Sequence, residues 1–279
     1  MLTSPQANKA QKMPSVKRPR DVVISPLPDL LVSHERTKSS ALHKIRFLGP
    51  LLPLTGFTTA VKNAYDTQQW SNRVIQISLQ ARNLTNEKVF VGDEARVYAR
   101  FQQAAGQVLG AVFEAQAINI ALGNFKSTGI AYSKTPDVVM LSLPDLQNDN
   151  AQQLRVVGEV KVPWLVQHQH DLCAENSTLL REVLGQPISY MLDLDCMYGF
   201  ITNYCQTIFL RQIQVGSTWR IEYSPLIDAS VRYAPPDPAN QSIEPVLSFN
   251  QCLLYIATIV EAQGSIVNPN PRTQWIREH

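Results

Sequence analysis

The sequence predicts an α/β or α+β domain with a central mixed sheet flanked by helices. A long helical pattern precedes residue 122, short valine-rich strands follow it, and further helical patterns lie between and after the strands. The 279 residues, of which 44% are hydrophobic, can bury a sizeable core. We therefore expect one large domain with extensions.

The beginning of the chain is polar and basic. Residues 1–46 carry nine Lys or Arg against three Asp or Glu, a charge of +6, whereas the remainder carries −4. We predict a disordered basic tail over residues 1–45 and a single domain over 46–279, with its core at about residues 90–225. The cluster Lys17-Arg18-Pro19-Arg20 is typical of a nuclear-import signal, although a solvated charge run has the same composition.

Composition disfavours several classes of protein. No apolar run approaches the roughly 18–20 residues of a membrane span, and the N-terminus lacks the apolar segment of a secretory signal. We therefore expect an intracellular protein without a membrane partner. No C-x-x-C pair, Walker loop, dinucleotide fingerprint or nucleophile elbow occurs, which argues against zinc knuckles, nucleotide use and serine hydrolases. The cysteines, predicted to be reduced, are Cys173, Cys196, Cys205 and Cys252.

The elements follow from local patterns. Apolar residues at helical spacing predict one or two helices over residues 92–122. A second helix is expected over 177–194, with Ser177 as its N-cap and a bend or a new segment at Pro187, and a third over 247–261. Gly216-Ser217 predicts a hairpin turn. The strand-like runs are 130–132, 138–141, 154–162, 199–204, 207–212 and 219–223.

Two charged residues of opposite sign lie in the second half of the valine-rich run at 154–162. Alternation along a strand places Glu159 and Lys161 on one face, about 7 Å apart, while Val160 and Val162 point into the core. Unpaired buried charge is costly, so this pair requires a reason. A salt bridge at a sheet edge would be one, and a functional site another, because E-x-K alone is a frequent pattern.

Asp137 makes the functional interpretation stronger. It opens the strand at 138–141 and precedes Glu159 by 22 positions, which leaves room for one hairpin that sets the two carboxylates side by side. Converging carboxylates repel unless a cation lies between them, and hard oxygen ligands suit Mg²⁺ or Mn²⁺. Such a metal stabilises charge on a phosphate oxygen and lowers the pKa of bound water. Lys161 would position that water or neutralise the transition state.

Pro136-Asp137, followed by Glu159-Val160-Lys161 on the next strand, resembles the motif of the PD-(D/E)xK nuclease superfamily. The resemblance covers roughly residues 90–225. It implies a restriction-endonuclease-like fold, catalysis by Asp137, Glu159 and Lys161, and a Mg²⁺ or Mn²⁺ cofactor. The partner it implies is nucleic acid, DNA rather than RNA. The basic cluster at residues 17–20 favours a nuclear setting, and the oligomeric state is left open.

Further residues extend the resemblance. Gln186 and Tyr190 are similar to the Q-x-x-x-Y box of the RecB-like and lambda-exonuclease-like branches, although Pro187 inside the box departs from that pattern. In those branches the glutamine orders the metal site and the tyrosine approaches the substrate phosphate. Residues 198–204 and 207–210 resemble more specifically a fungal group of PD-(D/E)xK-like modules.

The family carries one more catalytic, metal-binding acid on the helix before the sheet, and two candidates compete for it. Glu94 lies in Gly92-Asp93-Glu94-Ala95-Arg96, which resembles the family's acid-plus-Arg pattern better than the surroundings of Glu114 do. An ordinary first-turn acid favoured by the helix dipole would also explain Glu94.

Three functions stay open. The intact set of Asp137, Glu159 and Lys161 favours a metal-dependent nuclease over a catalytically inactive nucleic-acid-binding module on the same fold. A protein-interaction domain would carry the motif by chance and bind no metal. We interpret His168 and His170 as residues of a polar loop, because no third metal ligand lies nearby in sequence.

Overall fold

A computed structural model of the chain describes residues 15–39, 45–77, 89–143, 152–235 and 245–278. The helices are α1 (Pro19–Val23), α2 (Phe57–Thr67), α3 (Glu94–Phe101), α4 (Gln107–Gln116), α5 (His170–Glu175), α6 (Ser177–Val183), α7 (Gly185–Asp193), α8 (Phe249–Ala262) and α9 (Arg272–Trp275). The strands are β1 (Ser15–Lys17), β2 (Ile45–Phe47), β3 (Leu51–Pro53), β4 (Ile75–Ile77), β5 (Ile120–Gly123), β6 (Val138–Ser142), β7 (Gln153–Val160), β8 (Tyr198–Thr202), β9 (Gln206–Val215), β10 (Thr218–Tyr223), β11 (Ile227–Asp228) and β12 (Ile276–Glu278). A π-helix (Gln102–Gly106) joins α3 to α4, and 3-10 turns lie at Phe125–Thr128 and Val166–His168.

Within these ranges the main sheet has eight strands, in the order β3-β10-β9-β8-β7-β6-β5 with β11 beside β9. β7 pairs in parallel with β8, and β10 in parallel with β3. The other neighbours are antiparallel. The predicted mixed sheet with flanking helices is thus confirmed.

Both faces of the sheet are covered. On one face, Val156 and Val160 of β7 belong to a core that includes Phe101 of α3 and Phe249 of α8. On the other face, Val157 belongs to a core formed with α6 and α7. Because both faces of β7 are buried, its sequence is a nearly continuous valine-rich run instead of an alternating one.

The basic tail is where the sequence prediction is wrong. Residues 15–39 belong to the domain: β1 pairs with β4, and Val22 and Val23 of α1 are buried in the main core. Such a short apolar pair inside a polar stretch gives no periodic signal, so the sequence of this stretch alone predicts disorder. Residues 1–14 and 40–44 lie outside the described residues.

Hydrophobic packing continues beyond residue 225, within the domain predicted over 46–279. Most of α8 is buried, and Ser248 caps this helix with a capping box to Gln251. The predicted helix at 247–261 is therefore confirmed and is part of the core. No helix within the described ranges is long and apolar enough to cross a membrane.

Several predicted boundaries change. The helical region at 92–122 ends at Gln116, and Ile120–Gly123 is instead the edge strand β5. Residues 130–132 form no strand. The helix at 177–194 is two helices, with Asn176 rather than Ser177 as the N-cap of the first. Pro187 lies in the first turn of α7, where a missing backbone N–H is tolerated.

Candidate active site

The hairpin of β6 and β7 brings Asp137 to Glu159. In the antiparallel register Val138 lies opposite Gly158, so that Asp137, one residue earlier, lies opposite Glu159, one residue later. A carboxylate oxygen of Asp137, Oδ2, accepts a hydrogen bond from the backbone N–H of Val160 at 2.9 Å. The aspartate is thereby fixed at the end of the strand pair, as the 22-residue spacing predicted.

Gly158 lets the neighbouring strand approach. A Cβ atom at this position would lie 2.3 Å from the ring of Phe200 in β8, closer than non-bonded carbon atoms approach. The ring therefore packs against the backbone of β7 directly beneath the residue that carries the carboxylate. Any side chain at position 158 would force the Phe200 ring or β7 to shift, next to Glu159.

Lys161 follows β7 and joins the two glutamates. Its ammonium Nζ lies 2.6 Å from Oε1 of Glu159 and 4.0 Å from Oε2 of Glu94. The Lys161 and Glu159 side chains are 10% and 4% exposed, whereas Glu94 is 44% exposed. Glu159 and Lys161 thus share one face, as predicted, and the backbone N–H of Lys161 donates to the carbonyl of Thr202 at 2.8 Å.

This arrangement holds more carboxylates than ammonium groups. Burial raises the pKa of Glu159 to about 8. The nearby charge of Lys161 lowers this pKa, and the charge of Asp137 raises it further. Burial likewise raises the pKa of Asp137 to about 6. Burial opposes the charge of Lys161, yet its pKa is raised because Glu159, Glu94 and Asp137 attract the ammonium. The cluster therefore binds protons near neutral pH, a property common at functional sites.

The two candidates for the helix acid lie in different places. Glu94 is the first residue of α3, behind the N-cap Asp93, whose side chain accepts from the N–H of Arg96. This start directs Glu94 to Lys161. Glu114 lies on α4 beside Arg73, 3.9 Å from its guanidinium, and is 84% exposed.

Gln186 and Tyr190 form a hydrogen-bonded pair on α7. Nε2 of Gln186 donates to the Tyr190 hydroxyl at 2.7 Å, and both side chains are buried. Burial raises the pKa of Tyr190, and the charge of Glu159 raises it further. One helical turn separates the pair, so Pro187 leaves their common face intact. The structure thus brings this pair to the edge of the acidic cluster.

Tyr98 and Gln102 lie beside the site and were missed from the sequence. The Tyr98 hydroxyl accepts from Nε2 of Gln102 at 3.2 Å. The pKa of Tyr98 is raised by burial and by the charge of Asp137. Tyr98 follows Glu94 by one helical turn, a spacing that could have identified it once Glu94 was chosen. The π-helix that begins at Gln102 had no recognisable sequence signal.

His168 and His170 are buried instead of lying in a polar loop. Burial lowers the pKa of each to about 4, so both are neutral at pH 7. Nδ1 of His168 lies 3.2 Å from the carbonyl of Val162, and the His168 carbonyl accepts from Nδ2 of Asn203 at 2.7 Å. These contacts tie the segment after Lys161 to the turn after β8.

The acidic side chains are chemically suited to hold Mg²⁺ or Mn²⁺. Oε2 of Glu159 is buried and has no hydrogen-bond partner among the described residues, and Oε1 is held by Lys161. Over the same part of the chain, no group of at least three His, Cys, Asp or Glu side chains is already arranged as a metal site. Glu94, Asp137 and Glu159 are the residues that could supply the ligands.

Family models, curated proteins and solved structures give no match to this chain, so its function has to be inferred from the chemistry of these side chains.

Proposed function

We propose that the protein is a divalent-metal-dependent nuclease that hydrolyses phosphodiester bonds, with DNA as its substrate. The single observation that carries the proposal is the meeting of Asp137, Glu159 and Lys161 at one end of the β6–β7 pair, with Glu94 facing the same ammonium. Three carboxyl groups around one buried cation are costly for a purely structural role. They are useful where a divalent cation and a phosphate have to be bound together.

The roles follow from the positions. Asp137, Glu159 and Glu94 would hold Mg²⁺ or Mn²⁺, which when bound stabilises negative charge on the phosphate and activates water. Water attacks phosphorus, the bond from phosphorus to the leaving sugar oxygen breaks, and that oxygen takes up a proton. Lys161 would donate to the attacking water or to a non-bridging phosphate oxygen. Gln186 would order the metal-binding side, and the Tyr190 hydroxyl would contact the phosphate.

We further propose a restriction-endonuclease-like arrangement of the sheet and a nuclear setting. The first is supported by the placement of the motif across an antiparallel pair inside a mixed sheet. The second is supported by the exposed side chains of Lys17, Arg18 and Arg20, although Arg20 also donates to the Tyr65 hydroxyl at 3.2 Å. Replacing Lys17 and Arg18 by Ala should move a tagged protein out of the nucleus, and an unchanged distribution would contradict this setting.

The function is tested by incubating the protein with plasmid and linear DNA in Mg²⁺ or Mn²⁺, beside Lys161→Ala and a chelator control. The wild type should cut only with metal, and Lys161→Ala should not cut. Use of both forms of DNA separates internal cutting from removal of ends. No cleavage by the wild type with either metal would contradict the proposal.

A second candidate is a nucleic-acid-binding or protein-interaction module without catalysis. The 2.6 Å ion pair of Lys161 with Glu159 favours it, because the buried pair then satisfies part of its own charge without metal. A nucleic-acid-binding module predicts that DNA is bound and not cut, whereas a protein-interaction domain predicts that Mn²⁺ does not change the melting temperature.

A further inference from the structure

A segment from the basic beginning of the chain crosses between the two flanks of the candidate site. The N–H of Ser33 donates to the carbonyl of Val91 at 2.8 Å, and the N–H of Thr37 donates to that of Gly92 at 2.8 Å. On the other side, Nε1 of Trp164 donates to the carbonyl of Thr37 at 2.9 Å. The backbone of the segment Ser33–Lys38 is therefore held by hydrogen bonds on both sides.

Those anchors are close to the catalytic candidates. Gly92 precedes Glu94 by two residues, and Trp164 follows Lys161 by three. Three residues of chain span at most about 11 Å. The segment therefore lies within the reach of one or a few nucleotides from the proposed site of cleavage.

The outer side of the segment is cationic. His34, Arg36 and Lys38 are exposed, and with Thr37, Trp164 and Leu165 they line an open groove. The guanidinium of Arg36 lies over the ring of Trp164, 5.9 Å from its centroid. This contact orients Arg36 while leaving it exposed. Glu35, the acid of this segment, faces His34 at 3.5 Å and does not line the groove.

We propose that this groove binds the phosphate backbone of a polynucleotide strand on its way to the site, with Arg36 and Lys38 contacting separate phosphates. The inference rests on the proposed nuclease function and specifies its substrate as a strand several nucleotides long. Arg and Lys are the side chains that bind phosphate oxygens best, and a fixed backbone lowers the entropic cost of placing them. Trp164 serves as a positioning residue, since its N–H and ring hold the segment.

The test is binding of fluorescent single-stranded DNA in chelator, without cleavage, to the wild type and to Arg36→Ala/Lys38→Ala. A strand of about 12 nucleotides should bind the double variant at least about tenfold more weakly, and the salt dependence should lose about 0.7 in slope per lost contact. A dinucleotide should bind the wild type and the double variant with similar affinity. Equal affinity and equal slope for the longer strand would overturn the proposal.

Controls separate this groove from overall charge and from unfolding. Arg232→Ala/Arg277→Ala removes two exposed arginines that do not line the groove and should bind as the wild type does. An equal loss of DNA affinity in this control variant would overturn a local role for Arg36 and Lys38. Arg36→Lys/Lys38→Arg keeps both charges and should restore most of the affinity, whereas no restoration would contradict phosphate binding.

Cleavage, measured separately with Mn²⁺, distinguishes the two proposals. Binding that depends on Arg36 and Lys38 without any cleavage would remove the nuclease function and leave the groove as a strand-binding site. Cleavage that is indifferent to both residues, with unchanged binding, would leave the nuclease function and remove the groove.

Discussion

The ammonium of Lys161 lies 2.6 Å from Oε1 of Glu159, and this pair is nearly enclosed by protein. Because burial still raises the pKa of Glu159 to about 8, the lysine compensates the carboxylate only in part. The Glu159 carboxyl therefore binds its proton more tightly in the folded than in the unfolded chain.

Metal-free stability should consequently fall as the pH rises from 6.5 to 8. A carboxyl group whose pKa is higher in the folded than in the unfolded chain stabilises the fold at low pH. For Glu159 this stabilisation is complete below the unfolded pKa, near 4.5, and is lost as the pH rises through about 8. Asp137, with a pKa of about 6, has lost most of its proton in the fold by pH 7, whereas His168 and His170 oppose the trend until the unfolded histidines, with a pKa of 6.5, are deprotonated. Comparison with a variant that lacks this carboxyl therefore isolates the contribution of Glu159.

The size of this effect is about 1–2 kcal/mol in the free energy of unfolding. Urea unfolding in chelator at several pH values measures it. Glu159→Gln should remove this fall, because an amide does not titrate, and leave only the weak opposite trend of the histidines. Constant or rising wild-type stability between these pH values would show that the Glu159 carboxyl is already ionised in the fold.

Asp137→Asn should leave the metal-free fold as stable as the wild type or more stable. The amide oxygen can still accept from the N–H of Val160, while the repulsion between Asp137 and Glu159 disappears. The same change removes an anionic ligand, so its stabilisation by Mn²⁺ should be smaller. In the wild type this stabilisation reaches about 2.7 kcal/mol at a hundredfold excess over Kd.

Thermal melts with and without Mn²⁺ measure the metal-free stability and the stabilisation by metal for the wild type and Asp137→Asn. A wild type indifferent to millimolar Mn²⁺ would argue strongly against a metal site. An Asp137→Asn variant that responds fully to Mn²⁺ would remove this residue from the ligands.

Glu94→Gln should weaken metal-dependent activity strongly, and Glu114→Gln should leave it unchanged. Glu94 faces the Lys161 ammonium at 4.0 Å, whereas Glu114 faces Arg73 on another part of the molecule. The two substitutions are matched in chemistry and each lies on a helix, so comparing their cleavage rates is direct. The opposite order would identify Glu114 as the helix acid.

Gln186→Ala and Tyr190→Phe should weaken activity less than changes in the acidic cluster. Tyr190→Phe also leaves Nε2 of Gln186 buried without its acceptor, at a cost of about 1–3 kcal/mol in the free energy of unfolding. Adding Gln186→Met to Tyr190→Phe removes the stranded donor and should recover stability without recovering activity. Recovery of both stability and activity would show that Gln186 and Tyr190 have only a structural role.

The central part of the fold and the motif spacing could be predicted from the sequence. The β6–β7 hairpin and the shared face of Glu159 and Lys161 follow from local valine-rich runs and from alternation along a strand. The Gly216-Ser217 turn was also predictable, and Gly216 has a φ of 62°. These features depend on neighbours in sequence.

Features set by distant contacts could not be predicted. The position of Ser33–Lys38 depends on bonds to Val91, Gly92 and Trp164, and no local pattern encodes them. Burial of His168 and His170 likewise depends on how the segment after β7 packs against the turn after β8. The resemblance to the acid-plus-Arg pattern favoured Glu94 over Glu114, but the approach of Glu94 to Lys161 depends on how the helix lies against the sheet.

The most direct test compares the rate of cleavage of a labelled DNA strand by the wild type with that of Asp137→Ala, Glu159→Ala and Lys161→Ala. The wild type should cut with Mg²⁺ or Mn²⁺ and not with chelator. Each variant, shown to be folded, should lose at least about a hundredfold in rate, and combined changes should cost little more than single ones. Full activity in any folded variant, or a wild type inactive with both metals, would contradict a nuclease centre formed by these three residues.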